Sequence, residues 1–288
     1  MVTNYELKLK ARMALKDNWQ IALMVALIAS LPSLASQVVA IMTQSSPVVM
    51  LNNLTLAMQQ NPYATDITAL MEQAGITLEK CLPSTILGLV SALISPFLTL
   101  GMLNYFFKLL RGEEDAVIET VFSRKHCFFK AIGLRLMVYL RMLAWMLPGW
   151  ALMLIPFALI AVSAELALNV LPMVMLMGSV LSAVLGIRAA LHYAMSDRVM
   201  AETPEKGINQ CIRESVGIMR HRKLLLFALE VSFILWQMGL ALLESLLMGI
   251  MGNVLASTLG MALNFALNIY IQLAVSAFYL AYSAQPEI

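Results

Sequence analysis

Glu230, Gln237 and Glu244 recur every seven residues inside one long apolar run, so they share a helix face. In the next run Asn264, Asn268 and Gln272 recur every four and form a second, slowly drifting stripe. Polar groups inside such runs are rare, and two roles account for most of them. They line a polar route or small-ligand site, or they hydrogen-bond one helix to another, which averages about 0.6 kcal/mol per bond. Gln237 and Asn268 fall near the middle of their runs, so the two stripes are expected to face each other. Arg188 and His192, four apart in an earlier run, stand at a depth similar to Glu230. An Arg188–Glu230 ion pair is expected, because either charge alone is costly in lipid.

Groups for other chemistry do not assemble. The sequence holds no GxSxG, HExxH, Walker A loop or GxGxxG, and no apolar run holds two histidines. His126 and His221 lie in basic segments, where an interfacial role is expected. Cys81, Cys127 and Cys211 form no CxxC and no Cys/His ligand spacing, and no disulfide between them is expected. The expectation is a non-enzymatic protein with no metal and no cofactor. The basic residues spread along the ends of the apolar runs, which argues against nucleic-acid binding.

These polar groups must be positioned by elements of unusual composition. The 288 residues are 60% hydrophobic and 12% charged, with a mean hydropathy of +0.80. Soluble domains run about 25% charged, so the bilayer is the expected solvent. Nothing alternates as a barrel strand does. Six apolar runs reach the roughly 20 residues that a crossing needs: Trp19–Met42, Pro83–Leu110, Leu134–Val162, Val170–Met195, Leu224–Ile250 and Leu255–Tyr282. The expected fold is all-α, one transmembrane domain over residues 1–288, a six-helix bundle with short amphipathic cytoplasmic helices. The 22 methionines suit flexible apolar packing between helices.

Orientation follows from lysine and arginine. Lys8, Lys10, Arg12 and Lys16 precede the first run. Lys108, Arg111, Arg124, Lys125, Lys130 and Arg135 surround the second-to-third connection, and Arg198, Lys206, Arg213, Arg220, Arg222 and Lys223 the fourth-to-fifth. The opposite side holds only Lys80, although its loop from Thr43 to Leu82 is the longest. Both termini and the basic segments are therefore expected in the cytoplasm, with the chain in a bacterial cytoplasmic membrane. Ser33-Leu34-Ala35 resembles a signal cleavage site, but the run stays apolar to Met42, beyond a usual signal core, so a retained span is expected.

The connecting pieces read as amphipathic helices. Thr3 or Asn4 can cap one in which Leu7, Ala11, Ala14 and Leu15 oppose Lys8, Arg12 and Lys16, a pattern suited to the anionic inner leaflet. Inner-leaflet contact is expected of Lys8, Lys10, Arg12, Lys16, Arg220, Arg222 and Lys223. Val117, Ile118, Val121 and Phe122 make a second stripe after Glu113-Glu114-Asp115. Thr203-Pro204-Glu205 reads as the start of a third helix, followed by Ile208, Cys211, Ile212, Ser215 and Met219 at helical spacing. These helices are expected to serve as surface anchors joining the spans, with a protein partner on the cytoplasmic side as the alternative. Arg135 and Arg141 are expected to snorkel. Gly178, Ser182 and Gly186 repeat every four, as in close helix contacts. Of Pro96, Pro148, Pro156 and Pro172, the Pro148-Gly149 pair is the expected helix break.

Several of these segments resemble the bacterial membrane-protein family called domain of unknown function 975. Lys10-Ala11-Arg12 with Ala14-Leu15-Lys16-Asp17-Asn18-Trp19 is similar to its basic entry helix. Pro96, Gly101, Tyr105, Arg111-Gly112-Glu113 and Val121-Phe122 resemble its second-span exit. Ser215-Val216-Gly217-Ile218-Met219, then Lys223, Phe227, Leu229-Glu230-Val231-Ser232-Phe233 and Trp236, resemble its most specific stretch, and Phe278-Tyr279 its closing pair. His221 and Leu235 stand where that family usually has glycine, and Glu230 where it more often has aspartate. The resemblance implies the fold and a membrane location, and it carries no activity. Two functions remain open: a scaffold, accessory or envelope-homeostasis component, and a small-solute or ion transporter using the polar stripes.

Overall fold

Thr3 begins the first helix through a reciprocal cap, its hydroxyl accepting from the Glu6 amide (3.3 Å) while the Glu6 carboxylate accepts from the Thr3 amide (3.1 Å). The helix is α1, Asn4–Lys16, in a computed structural model that describes residues 3–43, 45, 47–61, 66–113, 116–159, 163–251 and 253–283. Then follow α2 (Trp19–Met42), α3 (Pro47–Gln60), α4 (Ile67–Gln73) and α5 (Leu78–Arg111). Two 3₁₀ turns, Ile118–Phe122 and Lys125–Cys127, lead into α6 (Phe128–Met153) and α7 (Ile155–Leu159). The chain continues through α8 (Ala164–Tyr193), α9 (Ser196–Glu202), α10 (Ile208–Met219), α11 (Lys223–Met251) and α12 (Asn253–Ser283). No strand occurs among the described residues.

Among the described residues, five stretches are long and apolar enough to cross a membrane: Trp19–Met42, Leu78–Arg111, Asn169–Glu202, Lys223–Ile250 and Thr258–Ser283. The expected third span is divided. Lys130, Arg135 and Arg141 place three charges within α6, and the helix stops at Met153. Residues 160–162 of that expected span lie outside the described residues, as do Glu114 and Asp115 of the acidic turn.

Three helix pairs make up the bundle: α2 with α5, α6 with α8, and α11 with α12. Small residues bring α6 and α8 together. A Cβ on Gly149 would collide with the Ser182 hydroxyl, and Ser182 Oγ donates to the Met146 carbonyl (3.3 Å). The Gly178–Ser182 stripe therefore packs, as expected. Pro148 sits inside a continuous helix, which corrects the expected break at Pro148-Gly149. The break comes instead at Leu154, two residues before Pro156, whose ring crowds the preceding turn.

The buried core lies at one end, the end that carries the basic segments. It takes Ala22 to Ala29 of α2, Leu98 to Leu110 of α5, Ala131 and Leu134 of α6, Leu226 to Phe233 of α11 and Ile269 to Tyr282 of α12. Contacts between pairs concentrate there too, as in Phe107 against Tyr279 (5.3 Å between ring centroids) and Phe97 against Phe128 (6.1 Å). Three short elements fill the gaps. The 3₁₀ turn Ile118–Phe122 presses so close to α5 that a Cβ on Gly101 would overlap the Val121 carbonyl. Only Val121 and Thr120 of that turn are buried while Val117 and Phe122 are exposed, so the expected stripe is half spent on the core.

α10 buries Cys211, Ile212, Ser215 and Met219, the stripe expected for it. Its start is Ile208 with Gly207 as cap. Thr203 instead closes α9, its hydroxyl donating to the Val199 carbonyl (2.9 Å), which corrects the expected start at Thr203. Ser215 has a particular task. Its Oγ donates to the His192 carbonyl (3.0 Å) and accepts from the Met195 amide (3.2 Å), pairing backbone groups that the α8–α9 corner leaves open. α1 buries Leu7 and Ala11, with Ala14 and Leu15 packed on the core, against α12 and its neighbours. The Leu7–Ala11 face is thus spent on the protein, while Tyr5, Leu9 and Met13 of the same helix stay exposed.

The loop between the first two spans contains α3 and α4, which the sequence reading passes over. They join through Asn61 Nδ2 to Gln73 Oε1 (2.7 Å) and Gln73 Nε2 to Gln60 Oε1 (3.1 Å). Asp66 caps α4, accepting from the Thr68 amide at 2.9 Å and the Thr68 hydroxyl at 2.6 Å. Those bonds hold its carboxyl below the usual aspartate range.

Candidate functional site

The two-residue turn Ala194-Met195 between α8 and α9 leaves Asp197 and Arg198 directed to different neighbours. Asp197 meets Arg135 of α6 at 2.9 Å, so Arg135 is tied to the protein and does not snorkel freely. Arg198 points to α12, where its Nη2 donates to Gln272 Oε1 (2.8 Å), and its Nη1 donates to the Ala194 carbonyl (3.0 Å). The residue is 8% exposed, and its Nε has no hydrogen-bond partner.

These side chains border a half-open cavity of about 620 Å³ between α2, α5, α6, α9, α11 and α12, and Gln37, Glu230 and Asn268 are exposed at its open side. Arg135, Asp197, Arg198 and Glu230 supply its charges, two of each sign. Asn268 and Gln272 add amides. From α2 come Ser30, Ser33 and Gln37, and from α5 Ser95 and Thr99. Phe106, Phe265 and Ile269 form apolar wall. Ser30, Ser33 and Thr99 donate their protons to carbonyls of their own helices, at 2.9, 2.7 and 2.8 Å. What they offer a guest is lone pairs. The cavity thus presents a guanidinium donor, a carboxylate and a bed of neutral acceptors.

The expected polar stripes divide between cavity and packing. Glu230, Asn268 and Gln272 line the cavity. Glu244 lies against Gly260 and serves the α11–α12 contact, whereas Asn264 Nδ2 donates to the Gly260 carbonyl (3.0 Å) one turn back in its own helix. Gln237 is exposed on α11 and faces neither.

The expected Arg188–Glu230 ion pair is not formed. Among the described residues the ion pairs are Arg111–Glu202, Arg135–Asp197 and Lys206–Glu214. Arg188 turns toward α6, with its guanidinium 5.8 Å from the centre of the Trp145 ring. A cation over an aromatic face is stabilised without a carboxylate, which is the physical reason for the correction. His192 also turns aside, accepting from Lys223 Nζ at 2.6 Å. Arg198, read from the sequence only as an orienting charge, is the arginine that borders the cavity with Glu230, without pairing to it. The one signal for it is Gln272, the polar residue whose partner was missing from the expected set.

The basic residues expected at a leaflet fall into two groups. Lys10, Arg12, Lys16 and Arg220 are exposed. Lys8 Nζ lies 4.5 Å from the Phe233 ring centre, and burial pushes its ammonium below the usual lysine range. Arg222 donates to the Tyr282 carbonyl (3.1 Å), and Lys223 is held by His192. Arg141 donates to Asn209 Oδ1 at 3.0 Å. Cys81 is half-buried, Cys127 and Cys211 are buried, and all three are free thiols. Among the described residues no group of three His, Cys, Asp or Glu side chains is placed to hold a metal ion.

A family model described as protein of unknown function, DUF975, matches residues 1–285. No curated protein and no solved structure matches the chain.

Proposed function

The chain belongs to the DUF975 family of proteins of unknown function, and from that premise we propose that it is a multi-pass membrane protein that takes up a small polar solute in its central cavity, for transport or sensing. The observation that carries this reading is the cavity of about 620 Å³, where Arg198, Glu230, Asn268 and Gln272 meet between three helix pairs. Ligand sites are concave and mostly apolar, with a few convergent polar groups, and their volumes run from about 300 to 1,000 Å³. Charges kept inside apolar helices are costly, and they mark pathways and binding sites. Glu230 stands seven residues into α11, about 10 Å from its basic end.

We place α6 as a sixth span beside the five apolar ones, with both ends of the chain in the cytoplasm of a bacterial cell. The excess of Lys and Arg at the core end supports this orientation. The second reading is a non-enzymatic scaffold or accessory component. It draws support from Lys10, Arg12, Lys16 and Arg220, which stay exposed for an anionic leaflet or a protein partner, beside the exposed Tyr5, Leu9 and Met13 of α1.

The test is water access. In a Cys81→Ser background, single cysteines at Ser33, Gln37 and Asn268 are challenged in intact cells with a membrane-impermeant thiol reagent. Labelling at these positions, with none at Leu242→Cys on an exposed apolar face, supports a solute cavity. Silence at all three, with labelling restored after unfolding, sinks it in favour of the scaffold.

A further inference from the structure

The charged groups of the cavity do not satisfy one another. Arg135 occupies Asp197 at 2.9 Å, which leaves Arg198 with neutral direct partners only, the Gln272 side-chain oxygen and the Ala194 carbonyl. Its Nε has none, although the residue is almost wholly buried. An arginine has five N–H donors in a rigid fork matched to carboxylate and phosphate oxygens. Glu230 borders the same cavity, and its field reaches Arg198, yet the two make no direct ion pair. A cation and an anion therefore face one space while standing more than contact distance apart.

Resting on the reading of this space as a solute site, we propose that the cavity binds a zwitterion. Its carboxylate or phosphate oxygens take the open donors of Arg198, and its ammonium lies against Glu230. A simple anion would gain Arg198 but meet Glu230. A simple cation would gain Glu230 but meet Arg198, and only a molecule with both signs satisfies both. The acceptor hydroxyls of Ser30 and Ser33 suit an ammonium, and Phe106 and Phe265 leave room for an apolar tail. Two sources share this chemistry: a free amino-acid-like solute and the phosphoethanolamine headgroup of a lipid.

The experiment follows thermal unfolding of the full chain, delipidated in dodecyl maltoside, with probes at matched concentration. Glycine, L-leucine and O-phosphoethanolamine are set against propionate, ethylamine and glycerol. A parallel arm uses mixed micelles with phosphatidylethanolamine or phosphatidylglycerol. A zwitterion at saturation is expected to raise Tm by about 3 °C or more. Response to the soluble zwitterions assigns a free solute, and response to phosphatidylethanolamine alone assigns the headgroup. Either outcome supports the proposal.

Glu230→Gln, close in shape and set in the cavity wall, is expected to weaken the response at least tenfold, and Arg198→Lys to do the same. The proposal is overturned if no zwitterion stabilises the protein. It also falls if propionate, ethylamine or glycerol does as well, or if Glu230→Gln keeps the full response. Cysteine labelling that remains positive in those cases retains the water-filled cavity and discards only the ligand class.

Discussion

Tyr279 of α12 donates its hydroxyl to Glu202 of α9 at 2.7 Å, and the same carboxylate pairs with Arg111 at the end of α5. One acidic residue thus ties together two helix pairs and the corner of the third. A hydrogen bond to a charged group is worth about 1.5–3 kcal/mol, and partial exposure of Glu202 favours the lower figure. Tyr279→Phe is expected to destabilise the protein by about 1.5 kcal/mol, read as a fall of several degrees in Tm. An unchanged Tm would mean that the contact contributes nothing.

Two glycines of α5 give an internal control. A Cβ at Gly101 would enter the Val121 carbonyl, whereas Gly88 has open space around it. Gly101→Ala is expected to cost about 1–3 kcal/mol as the 3₁₀ turn is pushed away. Gly88→Ala should cost nothing, and better helix propensity can add up to about 1 kcal/mol. Denaturation of both variants in the same detergent separates steric exclusion from any general intolerance of α5.

Ser215→Ala would strip the α8–α9 corner of its bridge and leave the Met195 amide and His192 carbonyl without that partner. Unsatisfied buried groups cost about 1–3 kcal/mol. Since Arg198 is carried on the same corner, the variant should lose stability and cavity-probe labelling together. Loss of stability with an unaltered labelling pattern would uncouple the corner from the cavity.

His221 adopts φ +63° in the turn between α10 and α11, the left-handed region that favours glycine. The tight turn is therefore present although the side chain is not glycine. His221→Gly should stabilise by about 0.5–1 kcal/mol, the relief of left-handed strain less the added chain entropy. A lower Tm would show that the imidazole makes a contact worth more than the strain.

Thiol reactivity separates the three cysteines. Burial and the nearby Glu214 carboxylate push the Cys211 thiol above its usual range, so at any given pH less of it is the reactive thiolate. Cys81 should alkylate first, with Cys127 and Cys211 protected until the core end unfolds. Equal rates for Cys81 and Cys211 in the folded protein would contradict the buried packing of α10.

Much of the helical segmentation was legible because apolar runs this long have few alternatives, and five of the six expected spans coincide with stretches apolar enough to cross. Helix faces were harder. Periodicity marks an inward face only when the outward face is polar, and in an apolar helix both faces read alike. Hence the stripe through Gln237 and Glu244 was legible as a pattern but not as a cavity wall. Arg198 was hidden for a related reason: it stands among orienting charges, and its partner Gln272 is 74 residues further on. The helix α4 could have been found, because Asp66 followed by Thr68 is a cap signal. The failure of Arg188 to meet Glu230 follows from Trp145, a competitor that charge counting leaves out.

The core that gathers at one end gives the molecule the mechanics of a hinged tripod. Its three legs are stiff helix pairs, and its stiffness against their relative motion is concentrated where the aromatic residues interlock. A helix tip about 30 Å from such a pivot moves about 5 Å for a 10° tilt, roughly the width of a small solute. A tilt about the Phe107–Tyr279 contact would displace the far rim by that much, with the lever arm set by helix length.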